Sequence, residues 1–251
     1  MSLLECVVVL AAGIFAGAIN TVVGSGTLVT FPVLLAVGFG PVTANVTNTL
    51  GLVPGSVAGA IGYRKELAGQ RGRILQLGSA SVLGGIVGAV LLLSLPSEVF
   101  DAVIPVLIAL ALVLVVAQPR LSRAVAARRR GAQRPHGGPL LWTGVFGTGV
   151  YGGYFGAAQG IILLALTAIA LPDDLQRLNA MKNVLAGSVN AVAAVVFVIF
   201  ATIAWLPALL LAVGSSLGGV LGARVGRRLS PTVLRGLIVI VGLAAIAQLL
   251  T

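Results

Sequence analysis

The sequence has little charge, few aromatic residues and a single cysteine, and each shortage excludes a class of protein. Only 9% of its 251 residues are charged and 58% are hydrophobic, whereas soluble proteins are roughly a quarter charged. Cys6 alone cannot form a disulfide framework or a cysteine-based metal site. Aromatic residues, at 5%, are too few for the aromatic girdles of a membrane β-barrel. The composition therefore predicts an all-α polytopic membrane protein in a lipid bilayer.

Basic residues outnumber acidic ones by 16 to 6, which gives a net charge of +10. In a soluble protein this excess would suggest a nucleic-acid partner. In a membrane protein, Lys and Arg accumulate in cytoplasmic loops, so we expect no nucleic acid. The run from Met1 to Ile19 lacks the basic start and the cleavage site of a signal peptide, and we expect it to be the first span.

Apolar segments occur ten times along the chain. Their ranges are 3–22, 26–38, 43–62, 74–95, 99–117, 140–157, 160–172, 178–203, 206–223 and 234–250. The second and seventh are shorter than a spanning helix of roughly 17 to 25 residues, and each follows a glycine-containing stretch. We expect these two to cross the bilayer, either by themselves or together with unwound backbone beside them.

A glycine-rich motif recurs in the two halves of the sequence. Residues 81–89 and 215–223 share the pattern Ser-x-Leu-Gly-Gly-x-x-Gly-Ala, at an offset of 134 residues. The same offset, without a gap, aligns Gly26 with Gly160 and Asn45 with Asn179. A constant offset across three segments predicts that the chain is two copies of one five-segment unit.

The basic residues indicate that the two copies have opposite orientations. The loop 63–73 contains four basic residues, whereas the equivalent window 197–207 contains none. Conversely, 94–101 carries only acidic charges, whereas its counterpart around 224–235 carries four arginines. Because Lys and Arg mark the cytoplasmic side, equivalent loops lie on opposite sides and the repeats are inverted.

This topology divides the chain into a first transmembrane repeat, 1–117, a basic linker, 118–139, and a second transmembrane repeat, 140–251. Ten spans place both termini outside and all sixteen basic residues, with the linker, in the cytoplasm. We interpret the linker as a solvated topology signal. Contact with anionic lipid headgroups is the alternative.

The charged and nucleophilic residues offer no catalytic constellation. All six acidic residues fall near segment ends or in loops, and the single histidine, His136, lies in the linker without acidic or cysteine neighbours. A serine with Lys182 as its base is the only formal nucleophilic pair. Asp173 and Asp174, directly before the eighth segment, are expected to cap its helix. We expect no enzyme, no catalytic residue, no metal site and no cofactor.

Uncharged polar residues and glycines cluster at equivalent places in the two halves. Amides and hydroxyls in lipid need partners or a wet cavity, which inverted-repeat transporters place between the repeats. A helix break at Gly24-Ser25-Gly26, or one near Gly160, would present backbone N–H groups that suit an anion. Close helix packing is the alternative explanation for these small residues. The predicted substrate-binding residues are Ser25, Gly26, Thr27, Asn45, Asn48, Thr49, Gln159, Gly160, Asn179, Lys182 and Asn183.

Lys182 takes the position that Asn48 has in the first half, near one end of the eighth segment. One interpretation is a lysine that extends its ammonium group to the membrane surface. The other is a cationic partner for an anionic substrate. The two differ in one prediction, since Lys182→Gln abolishes transport only under the second.

Two signatures resemble those of a known family. The run Gly24-Ser25-Gly26-Thr27-Leu28, with Pro32 a few residues on, resembles the glycine-rich opening motif of the TauE/SafE sulfite exporter family. Tyr-Gly-Gly-Tyr-Phe-Gly at 151–156, Asn-Ala-Met-Lys-Asn-Val at 179–184 and Asn190 resemble its second-repeat signature. The resemblance covers essentially the whole chain.

The resemblance implies a plasma (inner) membrane carrier, an exporter of small anions such as sulfite, organosulfonates or related sulfur oxyanions. The inverted repeats predict alternating access. Two other functions stay open: a drug/metabolite-type carrier of neutral or cationic solutes, and a non-transporting membrane scaffold. A monomer and a homo-oligomer both stay open as well.

Overall fold

The structure is a computed structural model that describes residues 1–128, 137–225, 236, 238–243 and 246–247. All regular secondary structure in this part of the chain is helical, which confirms the predicted all-α class. The helices are α1 (Leu3–Val22), α2 (Thr27–Ala36), α3 (Pro41–Gly62), α4 (Arg71–Ser94), α5 (Ser97–Arg128), α6 (Pro139–Tyr154), α7 (Gln159–Ala170), α8 (Leu175–Phe200) and α9 (Trp205–Val225). They coincide with the first nine predicted segments. The tenth, 234–250, lies largely outside the described residues, although residues 238–243 within it are helical.

Among the described residues, five helices are long and apolar enough to cross a membrane: α1, α4, α5 as far as Arg120, α8 and α9. As predicted, α2 and α7 are short apolar helices, of 10 and 12 residues. The 22 residues of α3 are interrupted by a polar stretch that includes Asn45 and Asn48, which lowers its hydropathy. Large apolar side chains such as Val113 and Ile199 are exposed on the outside of the helices, where lipid accounts for them. The chain is a multi-pass membrane protein.

Local signals explain where several helices begin and end. Ser2 and Glu5 form a capping box at the start of α1, in which each side chain accepts the backbone N–H of the other residue, at 2.8 and 3.2 Å. The sequence analysis missed this Ser-x-x-Glu pattern. Asp174 caps α8, as predicted, by accepting the Gln176 N–H at 2.7 Å. α5 continues past its apolar part to Arg128, because alanine and arginine are good helix formers, and so enters the predicted linker.

The two halves of the chain exchange one helix each. α9 packs against α1 and α3, whereas α4 packs against α6 and α8. The recurring motif lies at these contacts: Gly218 lies against the Ile14 carbonyl, and Gly84 lies against the Phe146 carbonyl. Neither glycine has room for a Cβ atom, so the motif works by letting helix backbones approach closely. We call helices α1, α2, α3 and α9 the first bundle, and helices α4, α6, α7 and α8 the second bundle.

α3 and α8 lie side by side and run in opposite directions. Near one end, Arg177 at the start of α8 donates to the Ala68 carbonyl, after the end of α3, at 3.1 Å. Near the other, the Ala204 N–H, after the end of α8, donates to the Thr47 hydroxyl, close to the start of α3, at 3.1 Å. We call the end where α3 stops and α8 begins the basic end. Its basic residues are Arg64, Lys65, Arg71, Arg73, Arg177 and Arg224.

Candidate anion site at the two helix breaks

Both short helices follow a break in the chain, and the two breaks touch. Gly24 lies between α1 and α2, and Gly156 lies between α6 and α7. Their φ angles of 91° and 76° belong to the left-handed conformation that glycine adopts without strain. The Gly160 N–H donates to the Gly24 carbonyl at 3.1 Å, and a side chain on either residue would collide with the other. The breaks therefore join the two bundles, and the Gly160 N–H is used for this contact.

Side chains of α8 cap the last turn of α1. A helix that stops inside a protein leaves its final carbonyl groups without intrahelical partners. The Lys182 ammonium donates to the Asn20 and Thr21 carbonyls at 2.9 and 3.2 Å. The Asn179 and Asn183 amides also donate to the Thr21 carbonyl, at 3.2 and 3.3 Å. Lys182 is only 1% exposed, so its ammonium group is buried at this helix end and does not extend to the membrane surface.

A related arrangement occurs in the first bundle. Asn45, the residue equivalent to Asn179, donates its side-chain amide to the Tyr154 carbonyl at the end of α6, at 2.9 Å. Asn48, the residue equivalent to Lys182, donates to the Thr27 hydroxyl at 3.3 Å and accepts from the Thr30 hydroxyl. Asn45 therefore links α3 to the end of α6, as Asn179 links α8 to the end of α1.

Several buried oxygen atoms at the predicted site have no hydrogen-bond partner among the described residues. At the start of α7, Gln159 donates to the Asn190 side-chain oxygen at 3.2 Å, but the Gln159 carbonyl oxygen accepts nothing. The same holds for Ser25 Oγ, Asn45 Oδ1 and Asn179 Oδ1. A buried polar atom without a partner costs free energy, which marks these side chains as ready to bind water or a solute.

Lys182 and the amides beside it have spare N–H donors, and no described carboxylate pairs with Lys182. A lysine ammonium group has three N–H bonds, and the two carbonyls of α1 take two of them. Asn179 and Asn183 each give one of two amide N–H bonds to Thr21. Within the described ranges, no carboxylate forms an ion pair with Lys182. A cation with three spare N–H bonds beside it suits an oxyanion.

All eleven predicted site residues are buried. Asn179, Lys182 and Asn183 meet at the end of α1, and the Lys182 stem passes close to Gly160. The structure does not connect every predicted residue to this group. Across the described part of the chain, no hydrogen bond joins Lys182 to the Thr27–Asn48 pair or to Gln159, and the Thr49 hydroxyl donates to the Asn45 carbonyl of its own helix.

The two carbonyl groups that hold Lys182, those of Asn20 and Thr21, were not among the predicted site residues. The sequence did contain a signal for them. A helix that ends just before Gly24 leaves the carbonyl groups of its last turn, including Asn20 and Thr21, without intrahelical hydrogen-bond partners. This signal was not used because backbone groups carry no residue type that marks them as a site.

Comparison with known proteins shows which family the chain resembles. The model of the family described as sulfite exporter TauE/SafE matches residues 9–249 of the chain. Curated relatives with similar sequences are named as transporters. The probable membrane transporter protein YfcA of Escherichia coli K12 is 26% identical over 236 residues, which cover 94% of this chain and 86% of the relative.

Two further relatives extend over nearly the same length. The probable membrane transporter protein ORF9 of Sinorhizobium sp is 28% identical, with 95% of this chain and 90% of the relative covered. A probable membrane transporter protein of Haemophilus influenzae is 25% identical, with 99% of this chain and 94% of the relative covered. No solved structure matches the chain significantly.

Proposed function

Because this chain belongs to the sulfite exporter TauE/SafE family and is a membrane transporter, we propose that it carries small anions, namely sulfite, organosulfonates and related sulfur oxyanions. It acts in the plasma (inner) membrane as a secondary carrier and exports its substrate by alternating access between inverted repeats. The family's description supports the sulfur oxyanion as substrate class, and the environment of Lys182 supports an anion.

One observation carries the proposal: a buried lysine ammonium group that has no carboxylate partner within the described residues. Keeping an ionised group in the interior costs several kcal/mol unless it is paired and hydrogen-bonded. The carbonyls of α1 supply hydrogen bonds, but they do not supply a full negative charge. An oxyanion held by Lys182, Asn179 and Asn183 would supply that charge.

The contacts of the glycine motif support the inverted repeats. Gly17 of α1 lies against the Ser215 carbonyl of α9, and Gly149 of α6 lies against the Ser81 carbonyl of α4. Ser81 and Ser215 are equivalent at the offset of 134 residues. The two equivalent serines thus make similar contacts, each with a glycine of a neighbouring helix, and the opposed directions of α3 and α8 fit an inverted relation.

The contacts between the bundles suggest how a substrate could favour movement. Two sets of hydrogen bonds hold the bundles together. Lys182 binds the carbonyls at the end of α1, and the Gly160 N–H binds the Gly24 carbonyl in the break that follows. An anion that takes N–H groups from Lys182 competes with the α1 carbonyls and loosens this contact. With no carboxylate predicted in the middle of a span, the expected coupling is to the membrane potential, worth about 2.3 kcal/mol per charge per 100 mV, or to an ion held by carbonyl and hydroxyl groups.

The proposal is tested with purified protein in liposomes. We expect saturable sulfite efflux that an inside-negative potential accelerates, whereas a cationic solute is not moved. Lys182→Gln should raise the sulfite concentration for half-maximal efflux by roughly tenfold to a hundredfold, because a charge-assisted hydrogen bond contributes about 1.5–3 kcal/mol.

Arg71→Gln is the matched control, since it removes one exposed positive charge at the basic end and leaves Lys182 in place. Wild-type efflux of cationic or neutral solutes without sulfite efflux would contradict the anion assignment in favour of a drug/metabolite-type carrier. Sulfite efflux that Lys182→Gln leaves unchanged would contradict the site but not the substrate.

A further inference from the structure

Two neighbouring cavities open at the basic end. The first has a volume of about 330 Å³ and lies where α3 and α9 end, lined by three basic side chains, Arg64, Lys65 and Arg224. The second has a volume of about 430 Å³ and runs along α3 and α8. Ile61 and Arg64 line both cavities, so the two are adjacent.

The first cavity has positive charge that nothing in the described part of the chain neutralises. Arg64, Lys65 and Arg224 are exposed, and no carboxylate forms an ion pair with any of them. The nearby acidic residue Glu66 does not line the cavity, and the carboxylate of Asp173 pairs with Arg73 and Arg177. Three basic side chains around one cavity attract a phosphate group.

The second cavity is a groove with apolar walls. Among the described residues that line it, Arg64 is the only charged one and Asn183 the only amide, and Val57, Ile61 and Val184 are among the apolar side chains. Its serines use their hydroxyls within their own helices, since Ser56 donates to the Leu52 carbonyl at 3.1 Å and Ser188 to the Val184 carbonyl at 2.9 Å. Such walls would not replace the water around a small hydrated anion, but they suit a hydrocarbon chain.

We propose that the two cavities form one binding site for an anionic phospholipid. Its phosphate group binds Arg64, Lys65 and Arg224, and one acyl chain lies in the groove between α3 and α8. The charge at the end of the groove selects an anionic headgroup over a zwitterionic one. Asn183 lines the groove and also belongs to the proposed substrate site, so the acyl chain lies next to that site, while the lipid proposal does not depend on which substrate is carried.

The experiment measures lipid binding by native mass spectrometry of the full-length protein in detergent. Phosphatidylglycerol should bind more tightly than phosphatidylcholine with the same acyl chains. The double variant Arg64→Gln/Arg224→Gln should weaken phosphatidylglycerol binding by roughly thirtyfold, about fivefold for each basic residue lost. The control, Arg71→Gln/Arg120→Gln, removes the same charge from residues outside both cavities and should leave binding within about twofold of wild type.

The groove is tested separately. Ala60→Phe places a ring in the groove and should weaken phosphatidylglycerol binding, while binding of inorganic phosphate should not change. Equal binding of the two lipids, or equal weakening by the two double variants, would overturn the proposal. If inorganic phosphate protects the protein from heat as well as phosphatidylglycerol does at the same concentration, and Ala60→Phe has no effect, the site binds a free anion and not a lipid.

Discussion

Asp173 shows how one side chain outside the spans positions the candidate site. Its carboxylate binds Arg73 of α4 at 2.6 Å and Arg177 of α8 at 2.7 Å. Burial alone would raise the pKa of Asp173, but hydrogen bonds from Arg73, from the Asp174 amide and from Arg177 outweigh burial and lower this pKa below its ordinary value. These ion pairs fix the start of α8, one to two turns before Asn179 and Lys182.

The lowered pKa of Asp173 predicts a pH dependence of stability. The ionised carboxylate stabilises the folded protein above the pKa of the unfolded chain, about 3.9, and this contribution is lost as pH falls through the lower folded-state pKa. Asp173→Asn should therefore reduce the free energy of unfolding by about 1–3 kcal/mol at neutral pH. Thermal unfolding between pH 3 and pH 7 should show the difference from wild type shrinking toward the acidic end. A difference that stays constant over this range would contradict the ionic role.

The helices were the part of the structure that the sequence revealed best. Hydropathy located the helices within a few residues, because a spanning helix must be apolar over a fixed length, except that α5 continues past the predicted end at 117 to Arg128. It also singled out α2 and α7 as short. The exchange of α4 and α9 between the bundles was not predicted, because a motif of small residues shows that a helix packs closely and does not show against which partner.

The glycine motif predicts opposite effects for two substitutions on the same helix. Gly84→Ala should reduce stability by about 1–3 kcal/mol, because its methyl group would meet the Phe146 carbonyl. Gly78→Ala should instead raise stability by up to about 1 kcal/mol, since nothing lies near this position and alanine favours the helix. Thermal unfolding in detergent compares the two variants with wild type. The same sign for both changes would refute the packing role of the motif.

The sequence named the residues of the candidate site, but it indicated only some of the contacts among them. The sequence indicated that Asn179, Lys182 and Asn183 act together, because they fall on neighbouring turns of one helix. It could not place them at the end of α1, since this contact joins residues about 160 positions apart through folding of the whole chain. The contact between Gly24 and Gly160 could not be predicted for the same reason.

At the scale of the whole molecule, the opposed directions of α3 and α8 place the loop after α3 and the loop after α8 at opposite ends. If the basic end faces the cytoplasm, the chain should begin and end outside. A reporter enzyme that is active only outside the cytoplasm should be active when fused after Thr251 and inactive when inserted within residues 118–139. Activity with the reverse pattern at these two positions would show that the molecule is oriented the other way.

The exchange of α4 and α9 has a consequence for how the protein is made. The ribosome releases α1, α2 and α3 long before α9, and it releases α4 before α6 and α8. Until α9 is inserted, the surface of α1 and α3 that it will cover therefore remains exposed to lipid. Neither half of the gene encodes a complete bundle. If the two halves are produced as separate polypeptides, they must therefore associate before either bundle can be completed.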